Sequence, residues 1–335
     1  MLDLLIIPML ICLVSSWSLR KKDQDTAFFS RTQTASINGV FVLMILIRHF
    51  SEYIKVGQLD WILGKGQRYL DQLIVVSFMF FSGYSFALQQ ARSSSYIKKL
   101  PKKIFSLWLM LIVTVLAHLC VQYVLGTTYD PSTILLSMIG YRKVGNSNWY
   151  IVAIALLWLL SFIAYSQKRL RPQVLLALLL VLYMIVFANL KGVQVVMYNT
   201  VLAYLAGILF HDHEGNITGA LARRKPLFSA AAALSALLLV GGIFFHEPFP
   251  VYEIWIISAC VFLVLFCLKV KMDSPFFSFL NRYSLEIYLV QRMPMLALQG
   301  KVQPNLLYFI LVAALTMALA LVWKKMFEKI TAALH

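Results

Sequence analysis

Three ionisable residues, Arg48, His49 and Glu52, stand near the end of an apolar stretch, SINGVFVLMILIRHFSEYI at residues 36–54. An imidazole near a carboxylate is typical of a general base, because the carboxylate orients the ring and raises its basicity. On a helix, either Arg48 or His49 could pair with Glu52, which follows them by four and three residues. Alternatively, Arg48 and Glu52 extend to the membrane interface and His49 is a packing residue. The periodicity alone leaves both interpretations open.

Asn38 stands 11 residues before His49 on the same predicted helix. Eleven residues make about three helical turns, which places both side chains on one face about 16 Å apart along the axis. Ionisable groups at membrane depth usually face a protein interior or a water-filled cavity. We therefore expect this helix to line a cavity that reaches both sides of a membrane.

The elements that must position these residues are transmembrane helices. The 335 residues are 61% hydrophobic and only 13% charged, which lies outside the usual range for a soluble domain. Apolar runs of about 20 residues, the length that crosses a ~30 Å hydrocarbon core, recur along the chain. We predict an all-α polytopic membrane protein of about 11 transmembrane helices, in which an N-terminal anchor helix (1–19) precedes a ten-helix membrane domain (30–330). The predicted spans are 2–19, 36–56, 69–90, 104–125, 148–166, 172–190, 195–211, 227–246, 251–268, 284–299 and 304–323.

The basic residues alternate between the predicted loops. Of the 30 lysines and arginines, 21 fall in alternate loops that begin with residues 20–35, seven fall in the opposite loops, and Arg48 and Arg292 lie within spans. Because basic residues concentrate in cytoplasmic loops, we expect the N-terminus outside and the C-terminus in the cytoplasm. The net charge of +16 is then a topology signal and a contact with anionic membrane lipids, and no nucleic-acid partner is expected. All four cysteines fall within spans without a C-x-x-C pair, so we expect neither a disulfide nor a metal site.

Other polar residues interrupt predicted spans. FFSGYSF contains Ser82 and Tyr84, where a small Ser-Gly step permits close helix contact or close approach of a ligand. NSNWYI contains Trp149 and Tyr150, which suit either an interfacial aromatic belt or a platform for sugar rings. Each pair therefore has a structural and a functional interpretation.

Two further segments carry charge. SLEIYLVQRMPM, residues 284–295, places Arg292 near the middle of a span, which indicates a cavity or an ion partner. The run SYIKKLPKKIF supplies four lysines at a cytoplasmic helix start. Those lysines follow the positive-inside rule, and they could also bind the phosphates of a nucleotide-like ligand.

Five segments, in order and spacing, resemble the membrane-bound acyltransferase family 3 over residues 30–325. They are INGVFVLMILIRHF, FFSGYSF with its lysine-rich loop, NWYIVAIALLWLLSFIAY, YNTVLAYLAGILF and SLEIYLVQ. Proteins of this family transfer acetyl or other acyl groups from cytoplasmic acyl-CoA to carbohydrates and cell-envelope glycans. The resemblance implies a plasma-membrane O-acyltransferase whose partners are acyl-CoA, as co-substrate, and a cell-surface or lipid-linked glycan.

The resemblance also implies site residues. The family's catalytic histidine falls on His49, and the basic residue eleven positions earlier falls on Asn38. The histidine of the family's SLxIYLxH pattern falls on Gln291, and its tryptophan at the start of an outer-facing span falls on Trp149. We therefore expect His49 and Glu52 to be catalytic. The expected acyl-CoA-binding residues are Asn38, Ser82, Tyr84, Lys98, Lys99, Lys102 and Lys103, and those expected at the acceptor or the oxyanion are Arg48, Trp149, Tyr150, Glu286, Gln291 and Arg292.

Other classes of protein need similar features. A transporter or flippase for a glycan or lipid intermediate would also need buried polar groups around a wet cavity. A membrane sensor or scaffold would not depend on CoA. Periodicity and charge alone leave enzyme and transporter open, and the sequence leaves open the acceptor, the acyl group (acetyl or succinyl), an acyl-histidine intermediate and the oligomeric state.

Overall fold

Apolar runs become helices along the whole chain. The computed structural model describes residues 1–19, 29–70, 72–245 and 248–333, so Arg20, Lys21 and Lys22 of the charge pattern lie outside the described residues. The α-helices in these ranges are α1 Ile6–Ser15, α2 Arg31–Phe50, α3 Leu73–Arg92, α4 Leu100–Val124, α5 Pro131–Met138, α6 Trp149–Ser166, α7 Pro172–Asn189, α8 Val201–Arg223, α9 Lys225–Phe245, α10 Phe249–Lys269, α11 Pro275–Arg282, α12 Ser284–Val290, α13 Arg292–Leu298 and α14 Asn305–Ala333.

Nine helical segments in the described part of the chain are long and apolar enough to cross a membrane. They contain α2, α3, α4, α6, α7, α8, α9, α10 and α14. The prediction of an all-α polytopic membrane protein is therefore confirmed, whereas the count of eleven transmembrane helices is not.

The other two predicted spans are helical but shorter than predicted. A 3₁₀ turn, Leu2–Leu5, continues into α1 and ends at Ser15, so the pair rises only about 23 Å against a hydrocarbon core of ~30 Å. Residues 17–19, predicted to end this anchor helix, form strand β1 (Trp17–Leu19), which pairs antiparallel with β2 (Val270–Met272). The predicted span 284–299 is divided at Gln291 into α12 and α13.

The divided helix still runs from one end of the bundle to the other. Beside the start of α12, Lys324 Nζ donates to the Arg282 carbonyl oxygen at 2.7 Å. Beyond the end of α13, Asn305 Nδ2 donates to the Lys55 carbonyl oxygen at 3.1 Å. We call the end that holds Lys55 and the last turn of α2 the His49 end, and the end that holds residues 98–103 the lysine end.

Helix α2 has a defined start and stop. The Ser30 hydroxyl accepts a hydrogen bond from the Gln33 N–H at 3.1 Å, which caps the N-terminus. The helix ends at Phe50, and residues 51–54 form turns and bends. His49 therefore lies in the last turn of α2, whereas Glu52 lies beyond it.

Glycines set the distances between the helices around the site. A Cβ at Gly83 of α3 would lie 1.9 Å from a backbone oxygen of α8, and one at Gly207 of α8 would lie 2.0 Å from a backbone oxygen of α3. A Cβ at Gly39 of α2 would lie 1.9 Å from a backbone oxygen of α11. These helices contact one another backbone to backbone, as small residues permit in membrane proteins.

Candidate active site

A polar cavity of about 180 Å³ lies at the His49 end, and we call it the polar chamber. Its walls come from α2, α3, the loop before α6, the segment before α8 and the junction of α12 with α13. The lining residues are Ile45, Arg48, His49, Glu52, Gln72, Ile74, Val75, Lys143, Ser147, Trp149, Gln194, Val196, Tyr288 and Arg292. Elements far apart in the sequence thus bring five of the predicted site residues to one cavity: Arg48, His49, Glu52, Trp149 and Arg292.

His49 is held by Gln291, which lies at the break between α12 and α13. Gln291 has no exposed surface, and its Nε2 lies 2.8 Å from His49 Nδ1 and 3.3 Å from the Tyr288 carbonyl oxygen. A carbonyl oxygen can only accept, so the Tyr288 carbonyl fixes the NH₂ side of the amide toward the imidazole. His49 Nδ1 therefore accepts from Gln291, and the neutral ring carries its proton on Nε2.

The other side of this amide lacks a partner. Gln291 Oε1 is buried and makes no hydrogen bond to the described residues. A turn of the amide would let Oε1 accept from Nδ1–H of His49, which moves the free lone pair of the ring to Nε2. Gln291 was expected at the acceptor or the oxyanion, but the structure places it behind the imidazole instead.

Glu52 pairs with two arginines. Its carboxylate oxygens lie 2.9 Å from Arg48 Nη1 and 2.8 Å from Arg292 Nη2. The Glu52 backbone N–H donates to the His49 carbonyl oxygen at 3.1 Å, but among the described residues no hydrogen bond joins the Glu52 carboxylate to the His49 ring, because the helix has ended before Glu52. The structure thus assigns the orienting contact of His49 to Gln291, where the sequence had suggested Glu52.

Four contacts stabilise the Arg292 guanidinium within the helix bundle. Besides Glu52, its Nε donates to the Ser147 hydroxyl at 2.6 Å and its Nη1 to the Tyr53 hydroxyl at 3.0 Å. The guanidinium also lies 5.7 Å from the centre of the Tyr53 ring. The positive charge of Arg292 is therefore paired with a carboxylate, and its N–H groups donate to acceptors, as a cation within a membrane protein requires.

Lys143 is the third cation of the polar chamber, and sequence reasoning missed it. It is exposed, and the described residues offer it neither a hydrogen bond nor an ion pair. Partial burial lowers its pKa below the ordinary lysine value, and the Arg292 cation lowers it further while Glu52 opposes the change. Gln72, Ser147 and Gln194 were missed as well. Of these three residues, only Ser147 carried a sequence signal, because it lies two residues before the predicted site residue Trp149.

A second cavity of about 180 Å³ lies beside the first, and we call it the apolar chamber. It shares Ile45, Val75 and Tyr288 with the polar chamber, so the two cavities adjoin along one wall. Among its mainly apolar lining are Ser82 and Tyr150, both predicted site residues. Tyr150 lies close to Tyr288, with 5.7 Å between the ring centres.

Several other predicted residues lie outside both chambers. Asn38 lies in α2, where its buried Oδ1 has no hydrogen-bond partner among the described residues. The Tyr84 hydroxyl donates to Glu214 at 2.6 Å at the lysine end. Glu286 is also at the lysine end, 4.0 Å from Lys324 Nζ. Tyr84 and Glu286 are therefore used in helix contacts rather than at the His49 site.

The four lysines lie at the opposite end from His49. Lys98, Lys99 and Lys102 are exposed, whereas Lys103 donates to the Tyr96 hydroxyl at 3.1 Å and lies 4.4 Å from the centre of that ring. They do not line either chamber. Three ammonium groups beside the start of α4 thus make no hydrogen bond or ion pair with any described residue.

Comparison with known proteins gives one match. The acyltransferase family 3 model, described as an acyltransferase domain, matches residues 36–323. No curated protein and no solved structure matches the chain. The matched range includes both chambers and extends from within α2 to within α14. The chain belongs to acyltransferase family 3 and is a membrane acyltransferase.

Proposed function

We propose that the protein is an O-acyltransferase of the cell membrane that moves an acyl group from cytoplasmic acyl-CoA to a hydroxyl of an extracytoplasmic glycan. The acyl group is most simply acetyl, and His49 is the catalytic base. The single observation that carries the proposal is the position of His49, in a polar chamber that adjoins an apolar chamber inside the bundle.

The two chambers suit two different substrates. The glycan is polar and occupies the polar chamber, whose aromatic wall at Trp149 offers a stacking surface for a sugar ring. The acyl group and the pantetheine arm are less polar and occupy the apolar chamber beside Ser82 and Tyr150. The wall shared by the chambers, at Ile45, Val75 and Tyr288, is where the two substrates meet.

The charge pattern supports the orientation. We place the His49 end outside and the lysine end in the cytoplasm, because the sequence puts 21 of the 30 basic residues in the alternate predicted loops that include the loop of residues 98–103. The exposed ammonium groups of Lys98, Lys99 and Lys102 then face the side on which acyl-CoA is made, where they can bind its phosphates.

The chemical step is acyl transfer between a thioester and a hydroxyl. His49 Nε2 takes the proton of the glycan hydroxyl, whose oxygen attacks the thioester carbonyl carbon. The C–S bond then breaks, the new C–O ester bond remains, and the proton passes from His49 to the CoA thiolate. The base-competent tautomer has its proton on Nδ1. To accept a hydrogen bond from Nδ1–H, the Gln291 amide must turn its Oε1 toward the ring, and in doing so it gives up the contact between its Nε2 and the Tyr288 carbonyl oxygen.

The test is transfer of label from radiolabelled acetyl-CoA to an envelope-glycan extract in proteoliposomes. His49→Ala is compared with wild type and with His213→Ala, a control at an exposed histidine of the lysine end. We expect loss of transfer in His49→Ala alone, by about 10²–10⁴-fold for a general base. Equal transfer by His49→Ala and wild type would refute the role of His49. Absence of transfer by wild type, together with movement of a labelled glycan precursor, would favour a transporter.

A further inference from the structure

The polar chamber holds more positive than negative charge. Arg48, Lys143 and Arg292 line it, and Glu52 is the one carboxylate among its described lining residues. The two arginines share that carboxylate, at 2.9 and 2.8 Å. With His49 neutral, the chamber carries two positive charges in excess.

Contacts among the described residues do not account for this excess. Arg292 is held by Glu52, Ser147 and Tyr53. Lys143, in contrast, has neither a hydrogen bond nor an ion pair with the described residues, although it lies near enough to Arg292 and Glu52 to interact with both charges. No described residue pairs with this ammonium group, so it is available to a ligand.

The location of these cations is also unusual for the chain. Only nine of the 30 lysines and arginines fall outside the loops assigned to the cytoplasm. Three of those nine line this one chamber. Membrane topology selects against basic residues on this side, so their convergence needs a different reason.

We propose that the glycan acceptor is anionic, with a carboxylate or phosphate group that Lys143 binds beside the hydroxyl to be acylated. This inference rests on the proposed function and names its substrate class. The chemistry shared by the two groups is a charged oxygen that accepts hydrogen bonds from ammonium and guanidinium donors. An acetyl group is neutral and the CoA phosphates are placed at the lysine end, so the acceptor supplies the negative charge.

The first experiment alters the charge of the acceptor. An envelope-glycan extract is divided into an untreated pool, a pool whose carboxylates are reduced to hydroxymethyl groups, and a pool whose phosphates are removed with cold aqueous hydrogen fluoride. Each pool receives label from radiolabelled acetyl-CoA in proteoliposomes. We expect one treatment to abolish acceptor activity, and the treatment that does so identifies the group as carboxylate or phosphate.

The second experiment alters the protein. Lys143→Gln is compared with Lys301→Gln, which removes an exposed lysine from the same end of the bundle outside the chamber. We expect Lys143→Gln to raise the KM for the untreated acceptor about 2- to 5-fold, the factor that an exposed ion pair provides. The KM for acetyl-CoA should stay constant, and Lys301→Gln should change neither value.

The outcomes separate this inference from the proposed function. Equal transfer to all three pools, dependent on His49, would overturn the anionic acceptor and leave the acyltransferase intact. An effect of Lys143→Gln only with succinyl-CoA as donor would assign the cation to an acyl carboxylate and would also overturn it. Lack of transfer to any pool by wild type would refute both proposals.

Discussion

Replacing Gln291 with methionine tests whether this buried amide positions the catalytic imidazole. Methionine has a similar volume, so the fully buried position stays filled. The change removes the 2.8 Å contact with His49 Nδ1 and the 3.3 Å contact with the Tyr288 carbonyl. One net hydrogen bond contributes about 0.5–1.5 kcal/mol. If that energy orients His49 in the transition state, kcat/KM falls by about 2- to 13-fold.

The assay is acyl transfer from radiolabelled acetyl-CoA in proteoliposomes, with the melting temperature measured on the same samples. The matched control is Gln33→Met, since Gln33 is only 1% exposed and its Nε2 donates to the Val270 carbonyl oxygen at 3.2 Å at the lysine end. We expect both variants to lose some stability and only Gln291→Met to lose activity. Wild-type kcat/KM in Gln291→Met would refute the positioning role. An equal loss of activity in Gln33→Met would show that the effect is general damage to the bundle.

Three further predictions concern the packing, the passage between the chambers and the chamber charge. Gly207→Ala places a Cβ 2.0 Å from a backbone oxygen of α3 and should lower the free energy of unfolding by about 1–3 kcal/mol, which a lower melting temperature will show. The control Gly215→Ala adds a Cβ in open space on the same helix and should leave the melting temperature unchanged. Ile45→Trp places a larger side chain between the two chambers and should reduce the initial rate of acyl transfer at least ~10-fold. The control Ile185→Trp, on an exposed face of α7, should leave that rate unchanged. Because partial burial lowers the pKa of Lys143, its positive charge is lost at a lower pH than that of an ordinary lysine. The KM for an anionic acceptor should therefore rise as alkaline pH is approached, and Lys143→Arg should remove that rise.

The membrane-spanning helices could be predicted well because each is marked by a long run of apolar residues. α2 was predicted over 36–56 and runs from Arg31 to Phe50, so its start was five residues late and its end six residues late. The late end had a consequence, since Glu52 falls outside the helix and pairs with arginines rather than His49. A helix end without a glycine or proline leaves no mark in an apolar sequence.

The site was only partly predictable because its members come from distant segments. His49 and Arg292 stood out as charges within apolar runs, and both line the polar chamber. Lys143 sits in a loop, where a lysine is unremarkable until the fold brings it beside Arg292. Glu286 was grouped with Arg292 by sequence, but the two lie on different pieces of a divided helix, α12 and α13. Pro294 accounts for that division, because it has no N–H to donate to the carbonyl of Val290, the last residue of α12.

The apolar chamber also bears on the energy balance of a membrane that holds this protein. Protons cross proteins along chains of water molecules, and small apolar cavities stay dry. The chamber is lined mainly by aliphatic and aromatic side chains such as Val42, Leu107 and Ile154. A dry cavity of this kind opposes a water chain that would pass through it from the polar chamber, and so it opposes proton leakage along that route.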